Sequence, residues 1–356
     1  MTPSIVRNAI PLACALVIGA TVVGVKLLRR QASRPALVWY GNAVHPYISE
    51  VRAGVEAFAS DTGTSVYCTL GQEWTQDNQN VNVEALSTQG YRGFSLYPGD
   101  PAGANALLRL LRRRNQHTVV YGAEPALPTP APFTVATDVK ASAMAAAEEL
   151  IRLMGGRGRI LNLLEAVTDV NTRTRDEGVR AVVARHPGVE IVQTLSDMMQ
   201  MGEATTKIQS ALAARADQID GMIATGFNPT VAAASLLTEW HRDPRHKRIR
   251  FIGIDTHPTT LQAIRDGAID ATVAQNPFGH GYISCALLRL LDEGWTPRQD
   301  YQFIDAGLLI VHRANLDTYA GEVRRVTDRI LGELKLRYLN PPSSDAAQEP
   351  VRSSSP

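Results

Sequence analysis

Cysteine is scarce in this sequence, which carries Cys14, Cys68 and Cys285 in 356 residues. No two lie close together, so a zinc knuckle and a CxxC redox motif are excluded, and three are too few for a disulfide scaffold. An excess of one charge is lacking as well, since 36 Lys and Arg face 35 Asp and Glu for a formal net charge of +1. Nucleic-acid-binding proteins usually carry a basic excess, and we therefore predict no nucleic-acid partner.

The common catalytic motifs are also missing. The sequence contains no G-x-S-x-G elbow, no Walker A motif and no H-E-x-x-H pair. Its best glycine-rich loop, residues 155–158, precedes a predicted strand, whereas a dinucleotide loop follows one. We therefore predict a protein that is not an enzyme, with no catalytic residues, no metal and no cofactor.

Length and composition indicate a large globular protein. At 356 residues the chain exceeds the roughly 250–300 at which a single hydrophobic core stops growing, so two lobes are expected. Hydrophobic residues make up 44% and charged residues 20%, which excludes a wholly disordered or fibrous protein.

The N-terminal region holds one long hydrophobic run, Ala9–Leu28, which contains a single charge, Lys26. About 20 apolar residues suffice to cross a bilayer. A cleaved signal peptide and an uncleaved anchor both fit residues 1–33, and the length of the run and the lack of a clear A-x-A site favour the anchor. Basic residues after the run give a conflicting topology signal, because they favour a cytoplasmic C-terminal side.

The rest of the chain alternates short β-branched runs with amphipathic stretches. The predicted strands are Leu37–Tyr40, Ser65–Thr69, Gly93–Leu96, Thr118–Tyr121, Arg159–Leu163, Glu190–Gln193, Gly221–Ala224, Arg250–Ile254 and Ala271–Ala274. Strand–helix alternation at this spacing predicts an α/β protein with parallel sheets covered by helices on both faces.

The C-terminal region is expected to differ from this pattern. Val323–Tyr338 has the pattern of a charged amphipathic helix, which we place at 320–339 as an addition to the main fold. Residues 340–356 are rich in Pro, Ser and small side chains, and we expect them to be disordered.

A resemblance to a known family is carried by the stretch from Phe251 to Gly281, FIGIDTHPTTLQAIRDGAIDATVAQNPFGHG. It has a strand ending in G-x-D, a short helix ending in D-G, a strand ending in A-Q-x-P and a glycine. This combination resembles type I periplasmic sugar-binding proteins, the ribose- and galactose-binding group. The similarity extends over roughly Ala36 to Tyr319. Ligand domains of lactose-repressor-type regulators share the fold, but here a hydrophobic segment stands where their DNA-binding element lies.

The resemblance implies a two-lobed type I periplasmic binding protein fold, in which each lobe is a doubly wound parallel sheet. An N-terminal hydrophobic helix would precede it. The N-terminal lobe is expected at 34–137 plus 276–304, and the C-terminal lobe at 138–275 plus 305–319. The ligand would lie between the lobes, where hinge closure traps it.

The resemblance also implies a set of ligand-binding side chains. Asp255 and Gln275 match a sugar-binding Asp and Gln, Arg175 matches a binding Arg at a helix start, and His45 and Tyr47 occupy the places of an Asn and an aromatic. Independently, ligands of open α/β sheets bind at the carboxyl ends of strands, where planar polar groups can pair with sugar hydroxyls. Structural roles for the same residues stay open, including helix capping, core packing and surface ion pairs.

Two departures from the family pattern concern specificity. After the fourth strand the ribose-type proteins have Asp-Arg, whereas this chain has Ala123 and Glu124. After Ala224 they carry an Asn, and here Asn228 could substitute from a position displaced by about two residues. We therefore include Glu124 and Asn228 among the candidate ligand-binding residues.

The function implied is that of an exported solute-binding protein. It would capture a small polar ligand, most simply a carbohydrate, and deliver it to an ATP-driven membrane permease. The alternative is a sensory ectodomain that passes its closed form to a signalling receptor. Either would work on the periplasmic or extracellular face, tethered to the cytoplasmic membrane by Ala9–Leu28.

Overall fold

The computed structural model describes residues 36–342, in which strands and helices alternate. The strands are β1 (Leu37–Gly41), β2 (Val66–Leu70), β3 (Gly93–Leu96), β4 (His117–Tyr121), β5 (Phe133–Ala136), β6 (Gly158–Leu163), β7 (Val189–Leu195), β8 (Gly221–Ala224), β9 (Arg250–Ile254), β10 (Ala271–Ala274), β11 (Thr296–Pro297), β12 (Gln302–Asp305), β13 (Leu309–His312) and β14 (Leu339–Asn340). The α-helices are α1 (Pro46–Thr62), α2 (Gln76–Ser87), α3 (Ala104–Arg113), α4 (Val139–Leu153), α5 (Val170–Val183), α6 (Met201–Arg215), α7 (Phe227–Trp240), α8 (Pro258–Arg265), α9 (Pro277–Asp292) and α10 (Tyr319–Arg337).

Two six-stranded sheets form two lobes. The first has the order β12-β5-β4-β3-β1-β2 and is parallel throughout. The second has the order β13-β10-β9-β8-β6-β7, and its edge strand β13 runs antiparallel to β10. The two-lobed α/β prediction is confirmed, with the correction that the second sheet is mixed. A short return of the chain after β12 brings β13 in from the opposite direction.

In each sheet the central strands are buried on both faces, as their apolar sequences require. In β1 the side chains of Leu37 and Trp39 enter one core and those of Val38 and Tyr40 enter another. This alternation follows from the two-residue period of a strand. Helices α1, α9 and α10 cover the first of these faces and α2 and α3 the second, which is why β1 carries no polar residue in its buried run.

The chain passes between the lobes three times, at 137–138, 275–276 and 306–308. We call these three segments the hinge. Helix α9 starts directly after the second of them and packs closely against α1. A Cβ on Gly54 would collide with the carbonyl of Phe278, and one on Gly281 would collide with the carbonyl of Val51. Glycine on both helices therefore lets α1 and α9 approach backbone to backbone.

Helix α10 belongs to the first lobe and is not an addition outside the fold. Ile330 and Leu334 enter the core under the first sheet. Thr327 is buried, and its hydroxyl oxygen accepts a hydrogen bond from Asn276 Nδ2 at 3.0 Å. The helix starts at Tyr319, whose ring packs against the core of the second lobe.

The two predicted terminal segments fare differently. Asn340, placed in the disordered tail, pairs with Thr296 because the buried side chain of Leu339 anchors strand β14. Residues 343–356 and the hydrophobic run Ala9–Leu28 lie outside the described residues. Between residues 36 and 342, no helix combines the length and the apolar character needed to cross a bilayer.

Candidate functional site

A cleft of about 690 Å³ lies between the lobes, at the carboxyl ends of the strands of both sheets. Its walls come from the loops after β1, β2, β3 and β4 in the first lobe and after β6, β7, β8, β9 and β10 in the second. This is the position that parallel sheets offer to ligands, because helix starts and strand ends converge there.

The structure brings six of the seven predicted site residues together around this cleft, and they are His45, Tyr47, Arg175, Asn228, Asp255 and Gln275. The seventh, Glu124, is exposed and lines an adjoining cavity of about 600 Å³. There its Oε1 accepts a hydrogen bond of 2.6 Å from the hydroxyl of Tyr301.

Asp255 occupies the end of β9 in an unusual backbone conformation. Its φ is 68°, in the left-handed region that Asp and Asn tolerate better than most residues. Its Oδ1 accepts a hydrogen bond of 2.7 Å from Gln275 Nε2, which joins the end of β9 to the hinge. Burial raises the pKa of Asp255, while this hydrogen bond and the charge of Arg175 act to lower it.

Arg175 is the cation of the cleft, and it projects from the first turns of α5. Its Nε is buried and has no hydrogen-bond partner within residues 36–342. A buried guanidinium N–H without a partner is costly, so it marks a place where a ligand oxygen would gain most.

Aromatic side chains form the wall of the cleft on the first lobe. The ring centroids of Trp74 and Tyr97 are 5.0 Å apart in an edge-to-face arrangement, and His45 packs on Trp74 at 5.8 Å. From the second lobe, Phe227 approaches the His45 ring at 6.1 Å. These rings offer apolar surface to the C–H face of a ligand.

Glu165, which sequence reasoning missed, takes the place expected for Asn228. Its Oε1 accepts a hydrogen bond of 3.0 Å from the backbone N–H of Asn228, and Asn228 Nδ2 donates to the carbonyl of Met199 at 3.0 Å. Asn228 therefore holds the loops, and Glu165 presents the carboxylate to the cleft. Burial raises the pKa of Glu165. Glu165 could have been found from the sequence, because it is a polar residue that lies two residues beyond the end of β6.

Over the described part of the chain, no group of three or more His, Cys, Asp or Glu side chains is arranged to hold a metal ion.

The geometry defines a two-lobed binding protein, and comparison with known proteins agrees. A family profile described as a periplasmic binding protein domain matches residues 36–294. This match covers more than half of the chain, which therefore belongs to the periplasmic binding protein family. The resemblance stated from the sequence is confirmed.

Individual relatives are distant but cover most of the chain. A xylitol-binding protein of Mycolicibacterium smegmatis is 22% identical over 317 residues, covering 86% of this chain and 85% of its own. The sugar-binding protein of a Bacillus halodurans sugar ABC transporter superimposes with a TM-score of 0.72 at 20% identity, covering 80% of this chain and 98% of that one. A Burkholderia graminis ABC-transporter solute-binding protein in complex with D-arabinose superimposes with a TM-score of 0.70 at 18% sequence identity. This superposition covers 80% of the present chain and 96% of the other.

Proposed function

We propose that this protein is the solute-binding component of an ATP-driven uptake transporter and that it captures a small sugar or polyol between its lobes. One observation carries the proposal. The cleft sets the buried Arg175 Nε–H, which has no partner among residues 36–342, and the carboxylates of Asp255 and Glu165 opposite an aromatic wall. A guanidinium and carboxylates suit pairs of vicinal hydroxyls, and the rings suit the C–H face of the same ligand.

Relatives support a neutral polyhydroxy ligand. Among them are a protein named for binding xylitol and structures with bound D-arabinose or myo-inositol. The donors and acceptors of this cleft suit that chemistry, and binding would be non-covalent. The proposed partner is the membrane permease of the transporter.

A thermal-shift screen of the full chain tests the proposal. The probes are xylitol, D-arabinose, myo-inositol, ribose, glucose and galactose, with amino acids as the contrasting class. A probe that binds only the folded state should add about 2.7 kcal/mol of stability at 100 times its dissociation constant. Stabilisation by amino acids and by none of the polyhydroxy compounds would contradict the proposal.

Glu124 and Glu165 form a matched pair of carboxylates for locating the ligand. Glu165→Gln should weaken the binding of the best polyol from the screen about tenfold, because it removes a charged acceptor from the cleft. Glu124→Gln should change the affinity less than about twofold, because Glu124 is bound to Tyr301 in the adjoining cavity. Calorimetry measures both, and a larger loss for Glu124→Gln would place the ligand in the adjoining cavity.

We also propose that Ala9–Leu28 tethers the protein to the cytoplasmic membrane, with the lobes on the periplasmic or extracellular face. The support is the long apolar run without a clear cleavage site. Mass spectrometry of the native membrane fraction should find the segment still attached. A soluble product that begins between Ala20 and Ala36 would show that it is a cleaved signal.

A further inference from the structure

A buried histidine connects the cleft to the hinge. His280 lies in the first turn of α9 and is 1% exposed. Its Nδ1 is 2.9 Å from the hydroxyl oxygen of Tyr47, a residue that lines the cleft, and its Nε2 is 3.3 Å from Oγ1 of Thr137. Both ring nitrogens therefore have partners, one toward the cleft and one toward the hinge.

Beyond Thr137 the hydrogen bonds continue across the hinge. Thr137 lies in the first crossing segment, and its hydroxyl donates to the carbonyl of Gly307 in the third, at 3.3 Å. Next to this contact, Asn276 of the second crossing donates from Nδ2 to the carbonyl of Ala306 at 2.8 Å. The series of hydrogen bonds that starts at Tyr47 thus ends on a backbone carbonyl of the hinge.

The carbonyl of Gly307 fixes the direction of every hydrogen bond in this series. A carbonyl only accepts, so the Thr137 proton points at Gly307 and the Thr137 oxygen must receive a proton from the His280 ring. Burial lowers the pKa of His280 to about 3, which keeps the ring neutral with one N–H and one lone pair. With the proton on Nε2, Nδ1 accepts from the Tyr47 hydroxyl.

We propose that His280 is a positioning residue for specificity, because it draws the Tyr47 hydroxyl proton away from the cleft and leaves Tyr47 able only to accept there. A ligand group that reaches the Tyr47 oxygen must then donate, as a hydroxyl or amine does and a carbonyl, ether or carboxylate does not. Gly122 provides the space for this hydroxyl, since a Cβ there would collide with it, and Gly122 also lines the cleft. The nature of the ligand in this inference rests on the proposed function, whereas the position of the proton on His280 does not.

The proton position is measured first, without ligand. The full chain is labelled with ¹⁵N-histidine, and the His280 resonances are assigned by their absence in His280→Asn. We expect a protonated Nε2 and an unprotonated Nδ1. A protonated Nδ1 would overturn the proposal whatever ligand the cleft takes, because Tyr47 would then be free to donate into the cleft.

Two variants then separate positioning from simple packing, with xylitol as the probe. The amide of Asn reaches about as far as Nδ1 and that of Gln about as far as Nε2. His280→Asn should therefore keep the Tyr47 contact and bind xylitol within about threefold of the wild type. His280→Gln should lose about tenfold or more, as should Tyr47→Phe.

Ser284→Ala is the matched control on the same helix. Ser284 is buried and bonded to Ser95 at 2.8 Å, away from the hinge, so its loss should lower stability without changing affinity. Equal losses of affinity in His280→Asn, His280→Gln and Ser284→Ala would overturn the proposal in favour of a purely structural role. If the wild type does not bind xylitol, that ligand is wrong for the proposed function. The ¹⁵N measurement still decides the direction of the hydrogen bonds from Tyr47 to Gly307.

Discussion

Asp255→Ala should weaken ligand binding by between about thirtyfold and several thousandfold. Removing a charged partner from a buried hydrogen bond costs roughly 2–5 kcal/mol of affinity, and about 1.4 kcal/mol corresponds to tenfold. The side chain lies in the cleft, and Oδ1 is occupied by Gln275, which leaves Oδ2 for the ligand. Calorimetry with the best polyol of the screen measures the loss.

Asp255→Asn removes the charge of the side chain without adding backbone strain, so it separates the two effects that Asp255→Ala combines. At φ 68° alanine is strained by roughly 1–2 kcal/mol, so Asp255→Ala should also lower the melting temperature of the unliganded protein. Asparagine tolerates this conformation, and its Oδ1 can still accept from Gln275. Asp317→Asn is the control, because the Asp317 side chain is 90% exposed and pairs with Arg265. Unchanged affinity in Asp255→Asn and Asp255→Ala would exclude Asp255 from the site.

The strands of the fold could be predicted wherever a short apolar run stands between turn residues. Gly93–Leu96, Gly221–Ala224, Arg250–Ile254 and Ala271–Ala274 match the observed strands residue for residue. Strand β5 was missed because prolines at 128, 130 and 132 precede it and indicate a loop. Its strand conformation depends on pairing with β4 and β12, contacts that are distant in the sequence.

The candidate site could be predicted where a polar residue directly follows a strand of the motif. Asp255 and Gln275 follow β9 and β10 and reach the same cleft. Glu124 does not, because the chain turns at Gly122, whose φ is 78°, and carries Glu124 to Tyr301. Trp74 lies in the loop after β2, whereas His45 lies in the loop after β1. Their contact depends on the packing of the first lobe.

His280 shows the same limit, since nothing in the local sequence distinguishes it from a surface histidine. Its burial follows from the close approach of α9 to α1, which Gly54 and Gly281 permit and which no local pattern reveals. This burial has a thermodynamic consequence, because the folded protein holds the ring neutral in acid in which the unfolded chain protonates it.

The stability of the wild type should therefore fall more steeply with acid than that of His280→Asn. Burial lowers the pKa of His280 to about 3 from its ordinary value of 6.5, so between these values the unfolded state binds more protons than the folded state. Stability then rises with pH across this window and is lost as pH falls, by up to about 1.4 kcal/mol per pH unit. At pH 4.5 the histidine alone should cost roughly 2–3 kcal/mol relative to neutral pH.

Comparing two variants isolates this contribution from other titrating groups. Burial also lowers the pKa values of His45, His117 and His241, and it raises those of Asp255 and Glu165, whose effect on stability has the opposite sign. All of these remain in His280→Asn and in the control Ser284→Ala. Urea unfolding of the three proteins between pH 7 and pH 4.5 should give parallel curves for the wild type and Ser284→Ala. The curve for His280→Asn should be shallower by roughly 2–3 kcal/mol over this range, because its amide does not titrate. Parallel curves for all three would mean that His280 becomes protonated inside the folded protein, and that protonated ring could no longer accept from Tyr47.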